Sequence, residues 1–192
     1  MFDNVLEPGR HGMADGRAGV LARPVEGLAI ATVAAGGKRI ASVVDTLERR
    51  FGVKPSAHPA HGAKDGVGFV GTGPGRWLAL ASGQEGSGFE AGLCCALDGL
   101  GAVTDQSDAL LVLELAGPDV GRTLAKGVTL DLHATVFPTG SAAVTVVNHI
   151  GVTLWRTDDA PTYRLAVPRS YAGSFMDWLT ASAAEFGLET LS

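Results

Sequence analysis

Residues Leu28–Phe51 read LAIATVAAGGKRIASVVDTLERRF, and this stretch decides the fold class. Its first six residues form a largely apolar run that is typical of a buried strand. After the break at Gly36-Gly37, apolar side chains recur every three or four residues, which is the period of an amphipathic helix. They are Ile40, Val43, Val44, Leu47 and Phe51. The change of period predicts a strand followed directly by a helix.

The rest of the first half also alternates between strand-like and helix-like patterns of apolar residues. Gly52 stands where a left-handed helix cap is expected, because glycine adopts that conformation without steric cost. A polar loop is predicted over residues 54–65. The elements predicted after it are two strands and a helix: Val67–Gly71, Arg76–Ala81 and Gly88–Leu100.

The second half repeats this succession. A short helix is predicted to begin at Gly117-Pro118-Asp119, and a last helix runs from a Ser170 cap to Gly187. Strands are predicted at Ala102–Gln106, Leu110–Leu115, Val144–Val147, Val152–Trp155 and Tyr163–Val167. We therefore predict an α+β fold in which one domain, 27–192, consists of two ferredoxin-like βαββα halves, 27–101 and 102–192. A pseudo-two-fold axis relates the halves, and helices pack on their antiparallel sheets.

Residues 1–26 are predicted to form a flexible N-terminal arm. They contain several glycines and scattered charges but little periodic apolarity, so the segment alone would bury too little surface to offset its ordering entropy. Two interpretations stay open. The arm is either a frayed terminus or a segment that becomes ordered on a partner.

Composition excludes several classes of protein. The chain has 192 residues, 46% hydrophobic, and a net charge of −5, without the clustered basic surface that nucleic-acid binding needs. No apolar run approaches the roughly 20 residues that span a bilayer. The start of the chain lacks the apolar core of a secretion signal. The two cysteines, Cys94 and Cys95, are adjacent and cannot form the usual loop-closing disulfide, so we expect a cytoplasmic protein.

Two motifs suggest ligand binding, and for each the structural alternative is favoured. Gly71–Gly75 resembles a phosphate loop, but a strand pattern follows it where a helix is required, which favours a hairpin. His58 and His61, with Asp65 nearby, contain metal-ligand side chains, but they lie in a loop without a supporting motif. His133 is isolated in sequence and is expected to be structural.

Two further segments contain nucleophilic side chains. Cys94 and Cys95 have no cationic neighbour in sequence to lower a thiol pKa. Thr104–Asp108 contains a serine between acids but is also typical of a turn. No group has both an activator and an orienting partner, so we expect no catalytic, cofactor-binding or metal-binding residue in this chain.

An ordered series of motifs resembles the gamma-subunit family of heterotetrameric sarcosine oxidase. The series runs from about Leu28 to the C-terminus and is strongest after Val103. Its parts are Gly73–Leu80 (GPGRWLAL), Val103–Asp108 with Leu113–Pro118, Lys126-Gly127, Asp131–His133, Phe137–Gly140, Leu154–Asp158 and Val167–Leu179. The departure Met176-Asp177 in the last motif affects no chemical group.

The resemblance implies a non-catalytic accessory subunit, similar in fold to the folate-binding aminomethyltransferase domain. In that family picture the complex demethylates sarcosine to glycine and transfers the one-carbon unit to tetrahydrofolate. The FAD, FMN, NAD and folate sites belong to the alpha and beta subunits and a zinc to the delta subunit. We expect those three subunits as partners, and self-association into a homodimer when the chain is isolated.

We predict Trp77, Phe137, Trp155 and Arg156 as anchors of the partner interface, because Trp and Arg dominate interface energetics. Core packing is the competing interpretation for Trp155 and Trp178. Two other functions stay open. One is a stand-alone folate or pterin binder using Asp105 or Asp131, and the other is the equivalent subunit of a related N-methyl amino-acid dehydrogenase.

Overall fold

The computed structural model describes residues 7–12 and 16–192. It is a mixed α+β structure that divides into two compact units. The first, called here the 26–110 unit, contains residues 26–110 and 140–143. The second, the 111–192 unit, contains residues 111–139 and 144–192 together with the described residues up to 25. Among the described residues, no helix is both long and apolar enough to span a membrane.

The secondary-structure elements are numbered in chain order. The strands are β1 (Gly9–His11), β2 (Val20–Pro24), β3 (Leu28–Ala34), β4 (His61–Lys64), β5 (Val67–Gly73), β6 (Arg76–Ser82), β7 (Ala102–Asp105), β8 (Leu110–Ala116), β9 (Ala142–Val147), β10 (Ile150–Arg156), β11 (Tyr163–Pro168) and β12 (Leu188–Thr190). The helices are α1 (Ile40–Phe51), α2 (Gly86–Leu97), α3 (Val120–Leu124) and α4 (Ala172–Ala183).

The 26–110 unit is an antiparallel sheet with two helices packed on it. The sheet order is β4-β5-β6-β3-β7. One buried cluster joins α1, α2 and the sheet, with Leu47, Leu93 and Phe69 among its members. Phe51 meets Phe69 edge-to-face with ring centroids 6.0 Å apart. The apolar face predicted for Leu28–Phe51 is therefore the face that builds this core.

The 111–192 unit contains the larger sheet, in the order β1-β12-β2-β8-β11-β10-β9 among the described residues. The pair β12–β2 is parallel, whereas β1–β12, β2–β8 and β10–β11 are antiparallel. Leu115 on β8, Leu165 on β11 and Phe175 on α4 are fully buried. The predicted α+β architecture with antiparallel sheets and packed helices is confirmed.

Several boundaries differ from the predictions because local patterns do not show tertiary pairing. Gly52 caps α1 in the left-handed conformation as predicted, with φ 70°. The predicted loop 54–65 contains β4, whose pairing with β5 depends on residues outside the loop. Helix α4 begins after Tyr171 rather than Ser170, without a side-chain cap. Strand β12 follows Gly187 and was not predicted.

The segment predicted to be a flexible arm needs a correction over β2. Strand β2 pairs with both β8 and β12, and the side chains of Val20 and Ala22 are fully buried. The alternation of Val20, Ala22 and Pro24 is too short to stand out in the sequence, and its burial depends on distant partners, Leu188, Leu115 and Leu113. Residues 1–6 and 13–15 of the predicted arm lie outside the described residues.

Candidate functional site

The side chain of Arg156, at the end of β10, is the centre of a constrained polar cluster in the 111–192 unit. Its guanidinium donates to three backbone carbonyl oxygens, those of Phe137 at 3.1 Å, Asp158 at 2.9 Å and Asp159 at 3.0 Å. A buried cation is costly unless it is hydrogen-bonded, and carbonyl oxygens supply those bonds here. Arg156 therefore ties the loop before β9 to the turn after β10.

The same loop, residues 128–139, is held at several further points. Tyr163 donates its hydroxyl hydrogen to the Leu132 carbonyl at 3.2 Å, and Thr139 donates to an Asp159 carboxylate oxygen at 2.8 Å. An isolated bridge pairs Val128 with Val147 on β9. A loop with this many fixed points presents a defined surface.

A groove of about 770 Å³ lies against this loop. Asp131, His133, Arg156 and Tyr163 are among its lining residues. The Asp131 carboxylate accepts the backbone N–H of His133 at 2.8 Å, and His133 Nδ1 lies 2.8 Å from Thr135 Oγ1. These side chains fold the loop on itself, which is the ordinary role of Asp in a turn.

The electrostatics of the groove are set by burial. Burial raises the pKa of the Tyr163 hydroxyl, and the charge of Arg156 opposes part of that rise. The hydroxyl is therefore protonated at neutral pH and acts as a hydrogen-bond donor. This arrangement can hold a loop or orient a polar ligand.

A second polar cluster, in the 26–110 unit, forms at Asp105 and Ser107. The Ser107 hydroxyl donates to the Asp105 carboxylate at 2.6 Å and also accepts the Ile30 backbone N–H at 3.0 Å. Hydrogen bonds from Ser107 lower the pKa of Asp105. The serine thus ties the turn after β7 to β3, which agrees with the turn interpretation of Thr104–Asp108.

The four predicted interface anchors need a correction, because all of them lie inside their units. The exposed fractions of Trp77, Phe137, Trp155 and Arg156 are 1%, 7%, 0% and 5%. Trp77 also donates its indole N–H to the Ser56 carbonyl at 2.7 Å. In this conformation these side chains offer almost no surface to a partner, so they are core residues rather than anchors.

The other predicted candidates lie apart from the Arg156 cluster. Gly73 and Arg76 delimit a hairpin between β5 and β6, as predicted for the glycine-rich stretch. His61 belongs to β4, and within residues 7–12 and 16–192 no group of three or more His, Cys, Asp or Glu side chains is placed to hold a metal. Cys94 and Cys95 are both exposed on α2.

Sequence reasoning missed several exposed aliphatic side chains of the 111–192 unit. Val136 in the loop is 60% exposed, and Val144 on β9 is 58% exposed. Val146 and Leu130 are exposed as well. A strand valine is predicted to be core from the sequence, and only the structure shows that Val144 and Val146 are uncovered whereas Val147, on the same strand, is buried.

The mixed α+β fold is similar to that of a solved aminomethyltransferase. The chain superposes on aminomethyltransferase T of the glycine cleavage system from Bartonella henselae with a TM-score of 0.64 at 13% identity, covering 91% of this chain and 48% of that chain. At this identity the likeness concerns the fold alone.

Closer relatives define the family. A profile described as "Sarcosine oxidase, gamma subunit family" matches residues 51–185. Sarcosine oxidase subunit gamma from an Arthrobacter species is 37% identical over 133 residues, and that from Corynebacterium sp. (strain P-1) is 36% identical over 133 residues. Both alignments cover 68% of this chain and 64% of the relative. The chain belongs to the sarcosine oxidase gamma-subunit family.

A solved structure agrees with this assignment. The chain is similar to a chain of the heterotetrameric sarcosine oxidase from Corynebacterium sp. U-96 in complex with pyrrole 2-carboxylate, with a TM-score of 0.78 and 26% identity. The match covers 92% of this chain and 88% of that chain. The resemblance stated from the sequence motifs is thereby confirmed.

Proposed function

We propose that this chain is a structural subunit of a heterotetrameric sarcosine oxidase and carries no catalytic group of its own. The observation that carries the proposal is the likeness to a chain of such a complex over nearly the whole length of both chains. Its partners are then the alpha, beta and delta subunits in the cytoplasm. Those partners hold FAD, FMN, NAD, tetrahydrofolate and zinc, and they convert sarcosine to glycine with one-carbon transfer to folate.

The polar clusters support this role. The Arg156 guanidinium bonds to three carbonyl oxygens, and the Ser107 hydroxyl bonds to Asp105 and to the backbone of Ile30. These groups are engaged in holding the backbone, which is what a protein that supplies shape requires. Arg156 then contributes to assembly indirectly, by shaping the 128–139 loop.

The test is co-expression of this chain, tagged, with the alpha, beta and delta subunits of a sarcosine oxidase from the same organism, followed by affinity purification. We expect all four chains to be recovered together, with sarcosine oxidation in the assembled material and none in this chain alone. A matched control omits this chain and keeps the other three. Recovery of this chain without partners, or turnover of sarcosine by the isolated chain, would refute the proposal.

The order of the elements supports the predicted ferredoxin-like repeat. The series β3-α1-β4-β5-β6-α2-β7 and the series β8-α3-β9-β10-β11-α4-β12 have the same element order. In both sheets a hairpin lies beside the first strand of its series, in the orders β5-β6-β3 and β10-β11-β8. We take these matching orders as support for a repeat, and the pseudo-two-fold axis stays a prediction.

A second candidate function is folate or pterin binding at the Arg156 groove. The observation that favours it is that Asp131, one of the two carboxylates predicted for a pterin edge, lines a groove of about 770 Å³, within the usual size range of small-molecule sites. Titration with tetrahydrofolate, followed by calorimetry, tests it. Binding that Asp131→Asn abolishes would support this function, and absence of heat at high micromolar ligand would exclude it.

A further inference from the structure

Three charged side chains stand side by side on the large sheet of the 111–192 unit. Strands β2, β8 and β11 are neighbours in this sheet, and they carry Arg23, Glu114 and Arg164. Arg23 lies directly opposite Glu114 in the strand register. Arg23 Nε donates to Glu114 Oε1 at 2.8 Å, and Arg164 Nε donates to Oε2 at 2.8 Å. One carboxylate therefore bridges two guanidinium groups.

This triad has one positive charge in excess. Glu114 is buried, which raises the pKa of its carboxyl, but hydrogen bonds and charge from Arg164 and Arg23 outweigh burial and lower the pKa. The carboxyl is therefore ionised at neutral pH and neutralises one of the two guanidinium groups. Each guanidinium reaches Glu114 through Nε and Nη2, and Nη1 of each has no acceptor among the described residues. These Nη1 donors are available to an anion.

A groove of about 530 Å³ opens onto the triad. The three charged side chains line it together with the apolar side chains of Leu21 and Leu191. This volume is within the usual range of small-molecule sites. The side chains of Arg23 and Arg164 are 57% and 31% exposed, so a ligand in the groove can reach both guanidinium groups.

The groove also contains a carboxylate that the triad does not use. Asp158 follows β10, is exposed, and lines the same groove. Arg156 donates to the backbone carbonyl oxygen of Asp158 and not to its carboxylate. None of the ion pairs among residues 7–12 and 16–192 includes Asp158. The groove therefore has unused cationic donors on its sheet side and an unpaired carboxylate beside β10.

We propose that this groove binds a small zwitterionic amino acid. The guanidinium groups of Arg23 and Arg164 hold its carboxylate, and the Asp158 carboxylate holds its ammonium group. Charge-assisted hydrogen bonds of this kind are about twice as strong as neutral ones. A simple anion leaves Asp158 unpaired, and a simple cation leaves the two arginines unused. The zwitterion is the class of ligand that matches both sides, and its binding does not depend on the proposed structural role.

The first test is calorimetric titration of the isolated chain with glycine. We expect glycine to bind about tenfold more tightly than acetate or methylammonium, because it contacts both sides of the groove. Acetate binding as tightly as glycine would overturn the proposal, since the ammonium group would then contribute nothing. Absence of heat at millimolar glycine would overturn it as well.

Two substitutions at exposed positions separate the two sides of the site. Asp158→Asn should weaken glycine binding about tenfold without weakening acetate binding, whereas Arg23→Gln should weaken both. Arg10→Gln is the matched control, because Arg10 is a similarly exposed arginine that pairs with Glu189 in the same sheet. It should bind glycine like the wild type. Equal loss of glycine binding in all three variants would refute the assignment.

A measurement on the wild-type chain keeps the proposal testable if a variant fails to fold. Backbone amide chemical shifts of the isotope-labelled chain are followed during titration with glycine. We expect changes at Thr157, Thr162 and Leu191, which line the groove. Changes confined to other parts of the chain, or no changes, would overturn the proposal. Either result would leave the proposed function intact, because assembly with partner subunits is measured separately.

Discussion

A Cβ placed on Gly127 would lie 2.5 Å from Cζ2 of Trp178, closer than van der Waals contact permits. Gly127 follows α3, and Trp178 lies on α4, where its ring packs 5.6 Å from that of Phe175. Because Gly127 has no side chain, the Trp178 ring of α4 can pack against the turn after α3.

Gly127→Ala is expected to destabilise the chain by about 1–3 kcal/mol, because the Trp178 ring must shift out of a packed position. The measurement is the midpoint of urea unfolding. Gly121→Ala is the control in the same unit, since a Cβ at Gly121 in α3 meets nothing within 4 Å. It should be neutral or slightly stabilising. Equal destabilisation by both substitutions would contradict the packing explanation.

Arg156→Met removes the three bonds to the carbonyls of Phe137, Asp158 and Asp159. We expect the free energy of unfolding to fall by about 1–3 kcal/mol, because the buried carbonyl oxygen of Phe137 is left unpaired. We also expect faster proteolysis within residues 128–139. Thermal unfolding and limited digestion measure the two effects. The exposed Arg76→Met should change stability by less than about 0.5 kcal/mol. An unchanged cleavage pattern would show that Arg156 does not hold the loop.

Glu114 makes stability depend on pH. Burial raises the pKa of this carboxyl, but hydrogen bonds and charge from Arg164 and Arg23 outweigh burial and hold the pKa below the ordinary value of 4.5. A lowered pKa in the folded state stabilises the protein above about pH 4.5, and this stabilisation is lost as the pH falls through the folded value.

Glu114→Gln should therefore lower the free energy of unfolding by about 1–2 kcal/mol near neutral pH. The difference from wild type should shrink as the pH falls below about 4.5, where the wild-type carboxyl begins to take up its proton. Unfolding in urea at several pH values measures this. A difference between the two proteins that is constant across the range would contradict it.

Ser107→Ala should lower the free energy of unfolding by about 1 kcal/mol, because the hydroxyl joins the Asp105 carboxylate to the Ile30 backbone. Ser87→Ala, at an exposed position on α2, is the control and should change little. Denaturant midpoints of the two variants compare them directly. A larger effect at Ser87 than at Ser107 would show that this turn is not a fixed point of the 26–110 unit.

Local patterns were informative where one element supplies its own signal. The helix predicted from the spacing of Ile40, Val43, Val44, Leu47 and Phe51 is present as Ile40–Phe51, and Gly52 caps it as expected. The strand starting at Leu28 is also correct to within one residue. These elements bury long apolar faces, and a long buried face requires apolar residues at a regular spacing that can be recognised in the sequence.

Short elements and the site were not predictable in this way. Strand β2 has five residues and β12 has three, so each depends on pairing with the other and not on its own pattern. Arg156 and Trp77 were expected on a partner surface because of their residue types. Their hydrogen bonds to backbone carbonyls distant in sequence show that they are internal.

The alternation of strands and helices and the family motifs can be read from the amino-acid sequence, because each is a property of neighbouring residues. Which side chains are covered depends on how the elements pack together. Burial of Trp155 and exposure of Val144 both occur in strands with apolar sequences. Within β9 itself Val147 is fully buried while Val144 is exposed, so what decides is which elements pack over each side chain, and that is set by pairing between distant parts of the chain.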